Sequence, residues 1–224
     1  YYATPALLLG DGEWISRTLY LAVPNGAKGV TFSGDWDPLG MRSTVSRNMT
    51  LKDVFVPDDA EVVPPGAFGR MYDKLGTTSV SFAPTFLGLM QAAYDYMIKY
   101  IKGEIPGSPG LQGEAPARGI AVAEMLFKIE AARSLLYRAV SQVHVGPTLD
   151  EMQVARAAHV TIQRTVVDVC AEAIRICGGR ATLKTHPLER YYRDARAAAV
   201  MRPWAQDIAT WQAWESAFTG VVGG

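Results

Sequence analysis

The sequence has little of what marks a membrane, secreted or nucleic-acid-binding protein. Two cysteines occur in 224 residues, Cys170 and Cys177, and on a helix they would lie about two turns apart, too far for a disulfide. Lysine plus arginine number 22, as do aspartate plus glutamate, so the net charge is zero and no basic surplus attracts nucleic acid or anionic lipid. No apolar run approaches the roughly 20 residues that span a bilayer. We therefore expect a cytoplasmic protein with neither a membrane nor a nucleic-acid partner.

Several common site signatures are also missing. The three histidines, His144, His159 and His186, lack metal-ligand spacing with any cysteine or carboxylate, so no metal site is predicted. His144 and His159 are expected to cap a helix or face solvent. Neither a glycine-rich phosphate loop nor a serine or cysteine nucleophile motif occurs. The first residues, Tyr1 to Pro5, have no methionine and no basic segment, and we interpret them as a cut inside a longer protein rather than a signal peptide.

The first 65 residues have the pattern of β-structure. Three short apolar or β-branched runs are separated by glycine-containing turns: residues 6–9, 18–23 and 29–32. Val45, Met49 and Leu51 then interleave with polar residues, which predicts a strand with one buried and one wet face. The proline- and glycine-rich stretch 63–66 marks a boundary.

The remaining residues, 66–224, have a helical period. Apolar residues recur three to four apart in three long stripes: Phe86 to Tyr100, Val122 to Val143 and Val154 to Ile176. Gly178-Gly179 should end the third helix, and two shorter helices are expected near 188–199 and 204–218. The sequence thus predicts an α+β fold, in which a partial antiparallel β-domain over residues 1–65 precedes an antiparallel, four-helix-type bundle over 66–224.

Four segments, in the right order, resemble the acyl-CoA dehydrogenase superfamily. The most specific is the last, in which a double glycine is followed by Pro-x-x-Arg-x-x-Arg-Asp-Ala-Arg. The segments are Trp36–Thr44 with Leu51–Pro57, Gly88–Ala93, Ala123–Arg133, and Ile176–Gly179 with Pro187–Arg196. The resemblance covers residues 29–206 and indicates the end of the family's middle β-domain followed by its carboxyl-terminal helical bundle.

The resemblance implies an FAD cofactor, an acyl-CoA thioester substrate and a flavin shared across a dimer interface. In the family a carboxylate base removes the α-proton while hydride leaves the β-carbon for the flavin. The double glycine, here Gly178-Gly179, approaches the adenosine-diphosphate part of the neighbour's FAD, because glycine lets backbone come close. Arg175 stands where the family has a glutamine, and Gln206 matches a second flavin contact. An ordinary helix cap would also explain Gly178-Gly179.

The position of the family's usual catalytic glutamate is occupied by Arg202. A guanidinium stays protonated and cannot act as a base. The alternative position on the first bundle helix holds Ser79, and Asp207 is a third possibility, so the catalytic residue stays unknown. Three interpretations remain open: a divergent dehydrogenase or oxidase with its base elsewhere, a flavin monooxygenase on the same fold, and a non-catalytic subunit. Monooxygenase relatives often carry histidine near this turn, which is absent here.

The last predicted helix is rich in aromatic residues. Four of them lie on fifteen residues: Trp204, Trp211, Trp214 and Phe218. Such a cluster is large for a short terminal helix to leave exposed. We expect the last two helices to pack against a second copy or a homologous subunit, as a dimer or tetramer, although packing within one chain is the alternative.

Overall fold

The computed structural model describes residues 1–74, 80–110, 115–201 and 205–220. Its contacts divide the chain into two compact units. The first consists of residues 1–37 and 42–76, and the second of residues 38–41 and 77–223. The chain therefore enters the second unit briefly at Pro38–Met41 before it returns to the first.

The first unit contains two small antiparallel sheets. Strands β1 (Tyr2–Leu7), β2 (Thr18–Val23) and β5 (Glu61–Val63) form one sheet in the order β1-β2-β5, and β3 (Val30–Ser33) pairs with β4 (Asn48–Leu51) in the other. Helix α1 (Ala67–Lys74) follows β5 and packs against β2. The Phe68 ring stacks on Tyr20 at a centroid distance of 4.6 Å, which fixes α1 on the sheet.

The predicted strands are corrected in two places. The first strand begins earlier than the apolar run at 6–9, because Tyr2 to Leu7 pair residue by residue with β2. The strand expected from Val45 onward is limited to β4, and Val45 and Leu51 are exposed rather than buried. The pair β3–β4 is a two-stranded ribbon, which has too little area to bury a full face.

The second unit is a helical bundle built around one long helix. Helix α4 (Leu149–Cys177) packs against α2 (Ala83–Ile101), α3 (Pro116–Ser141), α5 (Pro187–Ala198) and α6 (Gln206–Thr219). This arrangement, with the small antiparallel sheets of the first unit, confirms the predicted fold class. Nearly every stripe position is buried or half-buried in the bundle, although Val140 and Val143 at the end of the second stripe are exposed.

His159 departs from its prediction. It was expected to cap a helix or face solvent, but only 1% of its surface is exposed. The reason is that α4 has neighbours on four sides, so a polar residue in its middle has almost no solvent-facing position. His144 is exposed as expected and takes part in the cap at the start of α4.

Among the described residues, the two cysteines are unreactive and no cluster of side chains could bind a metal ion. Cys170 is buried and Cys177 is half-buried, and both are free. Burial raises the pKa of Cys170 to about 12 and that of Cys177 to about 11, so both thiols stay protonated at neutral pH. Among the residues described, no three histidines, cysteines or carboxylates group as a metal site would require, and no helix is long and apolar enough to cross a membrane.

Candidate functional site

The turn after α4 begins with a glycine that its backbone conformation requires. Gly178 has φ 84° and ψ −175°, a region that is essentially restricted to glycine. Its N–H donates to the carbonyl of Ile174 at 2.8 Å, which closes the last turn of the helix. The conformation alone therefore explains glycine at this position, as the helix-cap interpretation had it.

The next glycine has no such explanation within the described chain. Gly179 does not have a positive φ, and a Cβ placed on it would meet no atom within 4 Å. It is exposed at the start of a short 3-10 helix, Gly179–Thr182. Neither conformation nor packing requires glycine here, and the missing side chain leaves the backbone open to a ligand.

Cationic side chains surround this turn. Arg175 Nε donates to Glu172 Oε2 at 2.8 Å, and a second guanidinium nitrogen contacts Oε1. This hydrogen bonding raises the pKa of Arg175 and lowers that of Glu172. Arg180 and Lys184 are exposed on the turn itself. The exposed Arg180 and Lys184, beside accessible backbone, suit an anionic ligand such as a diphosphate.

The far end of the turn is anchored to α2 by two tyrosines, Tyr96 and Tyr100, of which only Tyr100 belongs to the predicted apolar stripe. The Tyr96 hydroxyl oxygen lies 2.6 Å from His186 Nδ1, and burial raises the pKa of Tyr96. The ring of the buried Tyr100 meets His186 edge-on at 5.7 Å. His186 precedes α5 directly, so the turn is held at both ends. His186 and the two tyrosines are far apart in the chain, so no local sequence pattern predicts their contact.

Gln206 lies elsewhere. Its Oε1 accepts a hydrogen bond from Arg164 Nε at 3.1 Å, and Arg164 precedes Gly178 by about four helical turns, or roughly 20 Å, along α4. The structure therefore brings Arg175, Gly178 and Gly179 together, whereas Gln206 belongs to a separate surface at the start of α6.

The residues proposed for proton abstraction are only partly placed. Arg202 and Ser79 lie outside the described residues, as does Trp204. Asp207, the alternative base, is exposed in the first turn of α6. The described chain therefore assigns no catalytic residue.

Helix α6 turns its small and polar face inward and its aromatic face outward. Ala209 and Ser216 are buried, and the buried Arg156 of α4 donates to Ser216 Oγ at 2.9 Å and to the Gln212 carbonyl at 3.2 Å. On the outer face three exposed aromatic rings contact one another in a row, each tilted against the next, with centroids 4.8 and 5.1 Å apart and exposures of 61%, 51% and 77%: Trp211, Trp214 and Phe218.

Comparison with known proteins identifies relatives of two activities. The mitochondrial short-chain specific acyl-CoA dehydrogenase of Bos taurus is 29% identical over 181 residues, 80% of this chain and 43% of that protein. The probable FMNH2-dependent monooxygenase SfnC of Pseudomonas putida is 24% identical over 203 residues, 84% of this chain and 51% of that protein. FMN-bound TdsC from Paenibacillus sp. A11-2 superposes with a TM-score of 0.79 at 20% identity, over 98% of this chain and 60% of that one.

The chain spans about half the length of the curated relatives it matches. The family model for the carboxyl-terminal domain of acyl-CoA dehydrogenases matches residues 80–202. That range contains α2 to α5 and the turn at Gly178-Gly179, so the part of the molecule with the candidate site is the part that the family defines. With more than half of its residues matched, the chain belongs to the acyl-CoA dehydrogenase family.

Proposed function

We propose that this chain is part of an FAD-dependent oxidoreductase that acts on the CH–CH group of an acyl-CoA thioester, and that its helical bundle offers the Gly178-Gly179 turn to a flavin. The observation that carries the proposal is the open backbone of Gly179 beside the exposed side chains of Arg180 and Lys184. The short-chain acyl-CoA dehydrogenase relative supports the substrate class.

The residues around the turn fit the diphosphate of FAD. The open side of Gly179 lets phosphate oxygens approach the backbone, and the exposed Arg180 and Lys184 balance their charge. A bound flavin supplies the two-electron acceptor for the oxidation. Gln206 bonds to a position on α4 that lies roughly 20 Å from Gly178. This separation is compatible with a flavin shared between subunits, in which the two surfaces would contact different flavin molecules or different parts of one.

The experiment replaces Gly179 with alanine and measures FAD binding to the apoprotein by fluorescence titration. We expect Gly179→Ala to fold with undiminished stability, because its methyl group meets nothing in the chain, and to bind FAD at least about tenfold more weakly.

Gly88→Ala is the matched control, since Gly88 is an exposed glycine in α2 with equally open space around it. It should leave FAD affinity unchanged. Unaltered FAD binding by Gly179→Ala would contradict the proposed site.

A flavin monooxygenase is the second candidate. Arg202 stands where a dehydrogenase of this family has its base, and a reaction between reduced flavin and dioxygen needs no group to remove an α-proton. The relative SfnC, a probable FMNH2-dependent monooxygenase, favours this candidate, and the dibenzothiophene monooxygenase TdsC shares the fold.

Two assays of the full-length protein separate the two activities: acyl-CoA is added to the oxidised flavin without oxygen, and oxygen is added to the chemically reduced flavin. Bleaching of the oxidised flavin by acyl-CoA supports the dehydrogenase, and its loss in Asp207→Asn would place the base at Asp207. Absence of bleaching, with a gain in Arg202→Glu, indicates that the base has been lost. No bleaching together with oxygen uptake by the reduced flavin supports the monooxygenase. Neither reaction, even with flavin bound, indicates a non-catalytic subunit.

We also propose that the outward aromatic face of α6 packs against a second copy or a homologous subunit. Three large rings exposed in one row support this. Trp214→Asp should shift the sedimentation of the full-length protein toward a smaller species. Phe127→Asp, which changes a comparably exposed aromatic residue on α3, is the control and should not. Equal sedimentation of Trp214→Asp and the wild type would exclude this interface.

A further inference from the structure

Two sequence motifs that are far apart in the chain meet in the helical unit. The segment Pro38–Met41, which we call the strap, belongs to this unit although the residues on either side belong to the first. Arg193 of α5 donates from Nη1 to the carbonyl of Leu39 at 2.7 Å. The Met41 N–H donates to Asp194 Oδ1 at 2.6 Å. Two consecutive charged residues of α5 therefore hold the backbone of the strap from both sides.

The guanidinium is oriented for this contact by a third residue. Glu189, one helical turn before Arg193, accepts two hydrogen bonds from it, from Nε at 2.7 Å and from the other terminal nitrogen at 3.1 Å. A carboxylate that binds a guanidinium through two parallel bonds fixes its plane. The remaining nitrogen, Nη1, is thereby directed at the strap.

The strap itself is shaped for close contact. Gly40 is buried, and a Cβ placed on it would overlap the backbone carbonyl of Arg193. Glycine here is explained by a neighbour in the chain, in contrast to Gly179. Met41 has φ 55°, a left-handed conformation that costs a non-glycine residue energy. A residue persists in such a conformation where surrounding contacts impose it, and the bond to Asp194 is such a contact.

We propose that Arg193 and Asp194, the charged pair at the centre of the most specific motif, form a latch that holds the strap on α5, with Glu189 as the positioning residue of the latch. Their side chains bind backbone groups of residues 39 and 41. The proposal does not depend on which reaction the protein catalyses, because every partner in the latch belongs to this chain.

The test is amide hydrogen exchange at Met41, read by NMR or by fragment mass spectrometry on the full chain. In the wild type this amide should be protected by its bond to Asp194. In Asp194→Ala exchange should accelerate about tenfold or more, since a charge-assisted hydrogen bond is lost. Gly40→Ala should produce the same acceleration without altering any latch side chain, because the added methyl group displaces the strap.

Arg190→Ala is the control, since Arg190 lies on the same helix, is exposed, and has its guanidinium over the neighbouring Tyr191 ring rather than at the strap. It should leave Met41 exchange unchanged, whereas Glu189→Ala should accelerate it by weakening the hold of Arg193. Gly179→Ala should not change it either, which separates this proposal from the flavin site. If Met41 exchanges at the rate of an unstructured amide in the wild type, or if Gly40→Ala and Asp194→Ala leave its protection intact, the latch is wrong.

Discussion

The two ends of α4 differ in how many of their special residues have a bonding partner within the chain. At the first end the Glu151 N–H donates to Thr148 Oγ1 at 3.3 Å, while Glu151 Oε2 accepts from the Thr148 N–H at 2.7 Å. This reciprocal pair is a capping box, and His144 Nε2 adds a contact to the same oxygen at 3.0 Å. At the last end Gly178 closes the helix, but Gly179 stands open beside exposed cations.

This difference indicates that the first end of α4 has a structural role and that the last end belongs to the candidate binding site. Every special residue at the first end has a partner in the chain, so its chemistry is explained without a ligand. At the last end Gly178 is explained by its dihedral angles and Arg175 is paired with Glu172, whereas no contact within the described chain requires Gly179 to be glycine. Substitutions at the first end should therefore change stability alone, whereas at the last end Gly178→Ala should change stability and Gly179→Ala should change binding.

The largest effect on stability is expected at Gly178. Alanine at φ 84° and ψ −175° would be held in a conformation reserved for glycine, which costs about 1–3 kcal/mol. Urea unfolding should show Gly178→Ala less stable by that amount, whereas Gly179→Ala should be as stable as the wild type. Equal stability of the two variants would contradict the assignment of different roles to the two glycines.

A smaller loss is expected at the capping box. Thr148→Ala removes the side-chain acceptor of the Glu151 N–H and should lower the free energy of unfolding by about 1 kcal/mol. Thr148→Ser keeps the hydroxyl and should recover most of this. FAD affinity should be unchanged in both variants, and a flavin-binding defect in Thr148→Ala would erase the distinction between the two ends of the helix.

The smallest of the expected effects is a pH dependence of stability that comes from the cap at the first end of α4. Hydrogen bonds from Thr148 lower the pKa of Glu151 from 4.5 to about 2, so its contribution is present above pH 4.5 and is lost as the pH falls toward 2. The hydrogen bond to Glu151 raises the pKa of His144 above 6.5, so that contribution is complete below pH 6.5 and is lost as the pH rises through the raised pKa. The cap should be strongest between pH 4.5 and 6.5.

Glu151→Gln is the matched variant for this measurement, because glutamine preserves the capping hydrogen bonds without a titrating group. Its unfolding free energy should vary less with pH on both sides of that window. A pH profile identical to that of the wild type would show that the capping box does not titrate with folding.

Local patterns anticipated most of the bundle. The spacing of Phe86, Ile129 and Ile162 predicted three long helices because burial against neighbours repeats with the helical period. The sequence Thr148-Leu149-Asp150-Glu151 also carries the capping-box pattern. Helix α1 was not anticipated, since its few apolar residues follow a proline- and glycine-rich turn.

Other features depend on contacts that no local pattern encodes. The burial of His159 follows from the number of helices around α4, and the hold of Asp194 on Met41 joins residues 153 positions apart. The anchoring of the glycine turn by Tyr96 and His186 joins residues 90 apart. Side chains of these types occur as readily on a surface, so their roles appear only once the helices are packed.

The sequence by itself determined the family, the fold class and the presence of a double glycine where α4 ends, because these depend on residue order and on the period of burial. The tertiary structure decided which glycine is required by the chain and which is open to a ligand, because that depends on the atoms that surround each Cα. It also decided that Arg193 and Asp194 bind the strap, since the direction of a charged side chain is set by its neighbours in space.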